Sequence, residues 1–354
     1  MRKIIIMMLI YYILLFQIAY ARFRKPNFDF NEYHSLEEYE NYLESIAKAF
    51  PDLVQLKVIG FSHELRRLLC LKIGNPIRET DKRIIWIDGG NHAREWPAFH
   101  TATFFINQLV MKYGEDPEIT RYIDKLNFYI LPMLNPDGFV FSRSSKSDLI
   151  RQWRKNRAPE NCTGSIAFRK NICCEGVDLN RNYDFDFHQT FYPFNNSCSD
   201  EYQGPFPFSE PETRAVRDFI TSNELRDKTD AVISLHTHGQ LIILPYNHRR
   251  ETYPIDYADL MTVALKAKNA IKMFNGHEYN IGTAADMLGP ATGSATDWIK
   301  RNTNVKYVYV FELPPAYTTW FAFQVKPHKL LPIAIETWNG VRVIIDQVLK
   351  DNKL

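Results

Sequence analysis

The run Ile84-Ile85-Trp86-Ile87 constrains the fold more than any other stretch of this chain. Consecutive apolar residues between Arg83 and Asp88 read as a buried strand, since a strand with one wet face alternates instead. Residues 97–113 read as a helix. The turn between them is Asp88-Gly89-Gly90-Asn91-His92-Ala93-Arg94-Glu95-Trp96. A strand handing directly to a helix is half of an α/β unit, and its turn is where such folds place their chemistry. His92 and Glu95, three residues apart on that turn, can aim at one metal ion. An isolated H-x-x-E is a weak signal, so its meaning depends on the rest of the chain.

The remaining pattern extends the same architecture. Ser35-Leu36-Glu37-Glu38 has capping-box spacing and opens a helix to about Ala49, ended by Pro51. Apolar β-type runs occupy residues 54–60, 68–73, 128–131, 231–235, 241–245 and 305–311. Helical patterns occupy residues 257–274 and 331–350, and Ser209-Glu210-Pro211-Glu212 reads as a second capping box starting a helix. Asn135-Pro136-Asp137-Gly138 reads as a turn. Strands alternating with helices predict an α/β fold, with a mixed central sheet and helices on both faces. No linker-like shift in composition divides the chain, so residues 22–354 read as one domain. A net charge of +2 argues against a nucleic-acid partner or a polybasic membrane partner.

Residues 1–21 read as a secretory signal peptide. Arg2 and Lys3 precede an apolar run, and Ala19-Tyr20-Ala21 places small residues for cleavage after Ala21. No second run of spanning length follows, so a secreted, extracellular protein without a membrane anchor is expected. Cysteine usage agrees. Cys70 sits in an apolar run as a buried thiol, whereas Cys162, Cys173, Cys174 and Cys198 cluster within residues 142–207, where periodicity is lost. One or two disulfides stapling that region are expected. Asn161-Cys162-Thr163 and Asn195-Asn196-Ser197 are glycosylation sequons, on Asn161 and Asn195.

A catalytic zinc takes three protein ligands and keeps one position open for water. His92 and Glu95 offer two, and His236, at the end of the run Val232-Ile233-Ser234-Leu235, offers the third. Zinc chemistry still needs a base, and Glu312 at the end of Val308-Tyr309-Val310-Phe311 is the natural one. The stretches Trp153-Arg154-Lys155-Asn156-Arg157 and Asp178-Leu179-Asn180-Arg181-Asn182 supply guanidinium groups suited to a carboxylate-bearing substrate.

Taken in order, His92-Ala93-Arg94-Glu95-Trp96, Asn135-Pro136-Asp137-Gly138, Gly176-Val177-Asp178-Leu179-Asn180-Arg181-Asn182, Ser234-Leu235-His236 and Phe311-Glu312-Leu313 resemble the motifs of the secreted zinc metallocarboxypeptidases of the pancreatic A/B type. Glu336-Thr337-Trp338 in the last helix agrees, and the resemblance covers nearly the whole mature chain. It implies a single zinc-carboxypeptidase domain acting as a monomer on peptide C-termini, with one zinc ion per chain on His92, Glu95 and His236. That ligand set is the one that also serves as a standard illustration of catalytic zinc. It further implies Glu312 as the base and Arg154 as the group that stabilises the oxyanion. Asn180 and Arg181 would hold the terminal carboxylate, Arg94 would bind further along the substrate, and Asp178 would orient His92. Cys174 and Cys198 match the family's disulfide, which leaves Cys162 and Cys173 for a second.

Four features qualify the resemblance. Gly289 stands where the family carries a mobile Tyr that closes over the bound C-terminal residue, so weaker capping is expected. A catalytically weak member that only binds peptide C-termini is the alternative reading. Thr296 falls at the floor of the specificity pocket, where an uncharged residue implies preference for neutral aromatic or aliphatic C-terminal residues. Leu313-Pro314-Pro315-Ala316-Tyr317 replaces a polar loop. The family's long inhibitory pro-segment has no counterpart in this sequence, and secretion without a zymogen stage is expected.

Overall fold

A computed structural model describes residues 26–167, 169–187, 192–319 and 322–354. The expected signal peptide, residues 1–21, lies outside them. In chain order the strands are β1 (Val54–Phe61), β2 (Arg67–Ile73), β3 (Arg83–Gly89), β4 (Leu126–Leu131), β5 (Asn161–Ile166), β6 (Arg169–Cys174), β7 (Thr229–Gly239), β8 (Leu241–Leu244), β9 (Asn280–Thr283) and β10 (Tyr307–Ala316). The helices are α1 (Leu36–Ala49), α2 (Trp96–Lys112), α3 (Pro117–Lys125), α4 (Pro136–Arg143), α5 (Asp148–Arg151), α6 (Pro211–Ile220), α7 (Tyr257–Asn275), α8 (Ala284–Met287), α9 (Ala295–Asn302) and α10 (Leu330–Asp351).

Eight strands form one mixed sheet in the order β1-β2-β4-β3-β7-β10-β8-β9, and β5 and β6 form a separate hairpin. At the centre, β4, β3, β7 and β10 run parallel to one another, flanked by antiparallel β2 and β8. Both faces are covered, which explains the unbroken apolar runs. Ile85 and Ile87 enter the core built with α1, α2, α7 and α10, while Ile84 and Trp86 enter the core built with α6 and α9. This is the α/β architecture read from the sequence, and its physical cause is the period-2 alternation of side chains across a doubly covered sheet.

Local signals succeed where their partners are local. The Ser35 side chain accepts from the Glu38 amide and Glu38 reaches back to Ser35, closing the expected capping box. Two readings are corrected. Asn135-Pro136-Asp137-Gly138 does not end as a turn but opens α4, with the Asn135 side chain accepting from the Gly138 amide. Pro136 suits a helix's first turn as well as a β-turn, and local sequence does not separate the two. Ser209 is not the N-cap of α6. Glu210 occupies that position without a side-chain cap, and the Ser209 hydroxyl donates to Glu210 instead, at 2.6 Å. Burial of Glu210 beside His63 and Asn156 turns its carboxylate away from the helix end.

The irregular region is stapled as its cysteines suggest. Disulfides join Cys162 to Cys173 across the β5–β6 hairpin and Cys174 to Cys198, and Cys70 is a buried free thiol. Asn195 is exposed, and Asn161 is half-buried with its side-chain oxygen accepting from the Thr163 amide. No helix among the described residues is long and apolar enough to cross a membrane.

Candidate active site

Strands β3, β7 and β10 run towards the same edge of the sheet, where the candidate ligands lie on the turn after β3 and near the end of β7. Parallel register places Glu312 opposite His236, and Gly89 opposite Leu235. Because side chains alternate, Ala231, Ile233 and Leu235 face one core while His236 projects from the other face, beside Glu312. Both strands run further than the apolar runs suggest. They stay paired through Leu313↔Thr237 and Ala316↔Gly239, so His236 and Glu312 lie inside strands rather than at their last residues. The Pro314-Pro315 pair therefore belongs to β10 and not to a loop.

The turn after β3 is held open by glycine. Gly90 has φ +71, and a Cβ there would meet Phe99 at 2.7 Å, so only glycine lets the chain pass so close to α2. Glu95 occupies the N-cap position of α2 yet makes no cap hydrogen bond. Its carboxylate points at two imidazoles instead: Oε1 lies 2.6 Å from His92 Nδ1 and Oε2 lies 2.9 Å from His236 Nδ1. The two Nδ1 atoms are 3.2 Å apart. His92, Glu95 and His236 are all buried, at 3%, 3% and 1% exposure.

Proton placement tests whether a cation fits here. Asp178, a fully buried carboxylate, stands 3.1 Å from His92 Nε2. An ionised carboxylate only accepts, so when His92 donates its proton from Nε2 to Asp178, the Nδ1 lone pair is available to a cation shared with Glu95. At 2.6 Å, His92 Nδ1 and the Glu95 oxygen need a proton or a metal cation between them, and the same arrangement serves either. A tetrahedral zinc with ligand bonds of about 2.0–2.2 Å spaces its donor atoms roughly 3.3 Å apart, against the 2.6, 2.9 and 3.2 Å found here. The donor set therefore fits zinc.

Charges around the triangle are arranged in layers. Arg154 donates from Nε to Asp178 at 2.8 Å, and its Nη1 lies 4.0 Å from Glu95. Burial alone would raise the Asp178 carboxyl, but Arg154 and His92 outweigh it and hold the group well below its usual range. Burial would likewise lower the Arg154 guanidinium, and Asp178 and Glu95 raise it above its ordinary value. Glu312 differs. Its burial pushes the carboxyl up to about 8, opposed by His236 and reinforced by the charge on Glu95. Among the described residues Glu312 makes no ion pair, and the charges of His236, Arg154 and Arg181 only partly offset its burial.

Beyond Asp178, the Asn180 side-chain oxygen accepts from the Ala295 amide at 3.0 Å, which ties this segment to the start of α9. Gly293 presses against it: φ is +69, and a Cβ would sit 2.0 Å from the Arg181 carbonyl oxygen. Thr296, 3% exposed, lies in the first turn of α9. Gly289 has φ +128 and open space where a Cβ would stand. The structure thus brings His92, Glu95, His236, Asp178 and Arg154 together. Asn180 and Arg181 join them through the Asp178 segment, and Thr296 through Asn180. Arg94, 17% exposed at the side chain, lies 4.5 Å over the Phe323 ring, with His238 beside the same ring.

Two acids escaped the sequence reading. Asp200 accepts from Arg94 at 2.9 Å, and Glu201 takes both Nε and Nη2 of Arg181. Their place just after Cys198 was the one available signal, since the Cys174–Cys198 bridge carries that loop back towards Asp178.

The chain is 37% identical to carboxypeptidase A2 of Rattus norvegicus over 327 residues, covering 92% of this chain and 73% of the relative. It is 35% identical to carboxypeptidase B of Astacus astacus, covering 90% and 98%. Among solved structures, carboxypeptidase A from Helicoverpa armigera superposes with a TM-score of 0.78 at 30% identity, covering 90% and 74% of the two chains. The family described as zinc carboxypeptidase matches residues 39–340. The chain belongs to the zinc carboxypeptidase family.

Proposed function

We propose that this metallocarboxypeptidase is a secreted monomer that binds one zinc ion on His92, Glu95 and His236 and releases neutral residues from peptide C-termini. The observation that carries the reading is the convergence of His92 Nδ1, the Glu95 carboxylate and His236 Nδ1 within 3.2 Å of one another, with Asp178 against the far nitrogen of His92. When bound, the metal supplies a Lewis acid that polarises the scissile carbonyl and acidifies the attacking water. Glu312 takes the proton from that water. Its raised affinity for a proton, from burial, makes it a stronger base than an exposed carboxylate, and the cation's positive charge would bring it into its ionised form. The same carboxyl then returns the proton to the leaving amine. Arg154, fixed by Asp178, offers its guanidinium nitrogens to the carbonyl oxygen as negative charge develops there.

Asn180 and Arg181 receive the terminal carboxylate, which restricts cleavage to the last residue, and Arg94 holds the chain upstream. Thr296 at the pocket floor has no charge to offer, which supports preference for aromatic or aliphatic last residues. The two disulfides and the exposed Asn195 suit an oxidising, extracellular setting with glycans on Asn161 and Asn195.

The open space at Gly289 favours a second reading, a weak or silent member that binds C-termini without efficient turnover. One experiment separates the two. Purified protein is incubated with peptides ending in Phe, Leu, Arg and Glu, with and without a chelator, and release is followed by mass. Chelator-sensitive release of Phe and Leu supports the first reading. Faster release of Arg than Phe would refute the neutral preference, and no release from any peptide would leave the binding role.

A further inference from the structure

Arg181 is assigned above to the substrate's terminal carboxylate, and the present inference rests on that assignment. In the free protein its guanidinium already holds a carboxylate. Glu201 Oε2 accepts from Nε at 3.2 Å and from Nη2 at 2.9 Å, while Nη1 donates to the Asn180 carbonyl at 2.9 Å. All three nitrogens are engaged. The Arg181 side chain is 13% exposed and that of Glu201 is 40% exposed, so the arginine is the embedded partner and the glutamate the one free to swing outward.

A plain structural tie is the competing explanation, and it has little left to do. The loop that carries Glu201 is already anchored by the Cys174–Cys198 bridge, by the Asp178 amide donating to the Tyr202 carbonyl at 2.8 Å, and by burial of Tyr202. The Glu201 amide itself donates to Ser199 Oγ at 3.0 Å. Nor is the contact isolated, because the preceding residue, Asp200, takes Arg94 in the same way at 2.9 Å. Successive acids on one stapled loop thus occupy both arginines that lie outside the Arg154–Asp178 pair. A carboxylate on an arginine is the same chemistry as a peptide C-terminus on that arginine.

We propose that Glu201 is a built-in competitor for the substrate's terminal carboxylate, filling the Arg181 fork in the free enzyme and being displaced when a peptide C-terminus binds. It therefore sets the affinity for the last residue without touching the reacting atoms. Binding exchanges one carboxylate for another, which lowers net affinity and speeds release of the carboxylate product.

The test compares the zinc-loaded wild type with Glu201→Gln, which keeps the side chain's shape and removes its charge. A partly exposed ion pair contributes up to about fivefold in an equilibrium, so KM for a peptide ending in Phe should fall by about threefold with kcat unchanged. The inhibition constant of N-acetyl-phenylalanine, which presents the same carboxylate, should fall by the same factor. Glu201→Asp, which keeps the charge, should stay closer to wild type. Unchanged or raised KM and inhibition constant in Glu201→Gln would overturn the proposal, as would a loss confined to kcat. Absence of hydrolysis in both proteins would instead overturn the exopeptidase reading. Calorimetric binding of N-acetyl-phenylalanine then still decides the role of Glu201: tighter binding by Glu201→Gln supports it, and equal binding overturns it.

Discussion

Replacing Asp178 by Asn separates orientation of the metal ligands from their mere presence. Asp178 is fully buried and faces three groups with its two oxygens: Oδ1 faces His92 Nε2 at 3.1 Å and the Asn180 amide at 3.0 Å, and Oδ2 faces Arg154 Nε at 2.8 Å. An amide cannot serve all of these donors. With its oxygen kept towards His92, its NH2 faces the Arg154 Nε–H, and with the amide flipped it faces His92 and Asn180. Either orientation leaves a buried donor against a donor and the Arg154 charge without its partner. Removing one member of a buried ion pair costs roughly 3–5 kcal/mol. Loss of a group that orients a metal-binding histidine typically weakens metal affinity by about 10–100-fold. Zinc affinity is read by competition with a chromophoric chelator, and stability by thermal melting of the zinc-free protein. The pH dependence has a defined sign. The Asp178 carboxyl is held well below its usual range in the folded protein, so its stabilisation is present above the unfolded carboxylate range and lost only as pH falls through the lower folded value. The gap between wild type and variant should therefore stay constant from about pH 8 to pH 5, above the unfolded carboxylate pKa of ~3.9. Zinc affinity within twofold of wild type, together with an unchanged melting temperature, would refute the reasoning.

Glu312→Gln should keep zinc binding while turnover falls by about 10²–10⁴-fold, the usual loss for a general base, as measured by peptide release and metal content. In the zinc-free protein the same substitution has a stability signature. Burial raises the Glu312 carboxyl to about 8, so wild type loses stability as pH rises from the unfolded carboxylate range towards that value. The variant should melt progressively higher than wild type over that interval, by up to about 3 kcal/mol at neutral pH, and a gap that shrinks with rising pH would contradict the assignment. Thr296→Asp should redirect cleavage towards C-terminal Arg and Lys in a peptide series. Because Thr296 is 3% exposed, it should also lower the melting temperature through the cost of a buried charge. Replacing Cys174 and Cys198 by Ala should destabilise more than replacing Cys162 and Cys173, since the sequence separations are 24 and 11. The expected losses are about 2–4 kcal/mol, measured by denaturant titration, with a larger loss of activity for the first pair because its loop carries Asp200 and Glu201.

Much of the fold, and the residues that converge as His92, Glu95 and His236, was legible because the signals are either local or strictly periodic. Unbroken apolar runs at residues 84–87 and 308–311 reported doubly covered strands, and the capping box at Ser35 reported its own helix. Chain order of motifs marked His92, Glu95, His236 and Glu312, each carried on or just beyond a strand of the parallel centre. Where local chemistry permits two outcomes, the sequence did not choose. Asn135-Pro136 suits a turn or a helix start, and Ser209 lost its capping role to the burial of Glu210.

By itself, then, the sequence determined the α/β class, the central strands, the ligand types and the stapled middle region, because these depend on the periodicity and identity of nearby residues. The tertiary structure alone decided that His236 and Glu312 share one face through the β7–β10 register, and that Asp178 stands against the His92 nitrogen remote from Glu95. It also placed Asp200 and Glu201 on the two arginines. Those facts depend on strand pairing, a disulfide and side-chain packing between segments far apart in the chain. Coulomb interactions and proton placement act through space, over distances that spacing along the sequence does not encode.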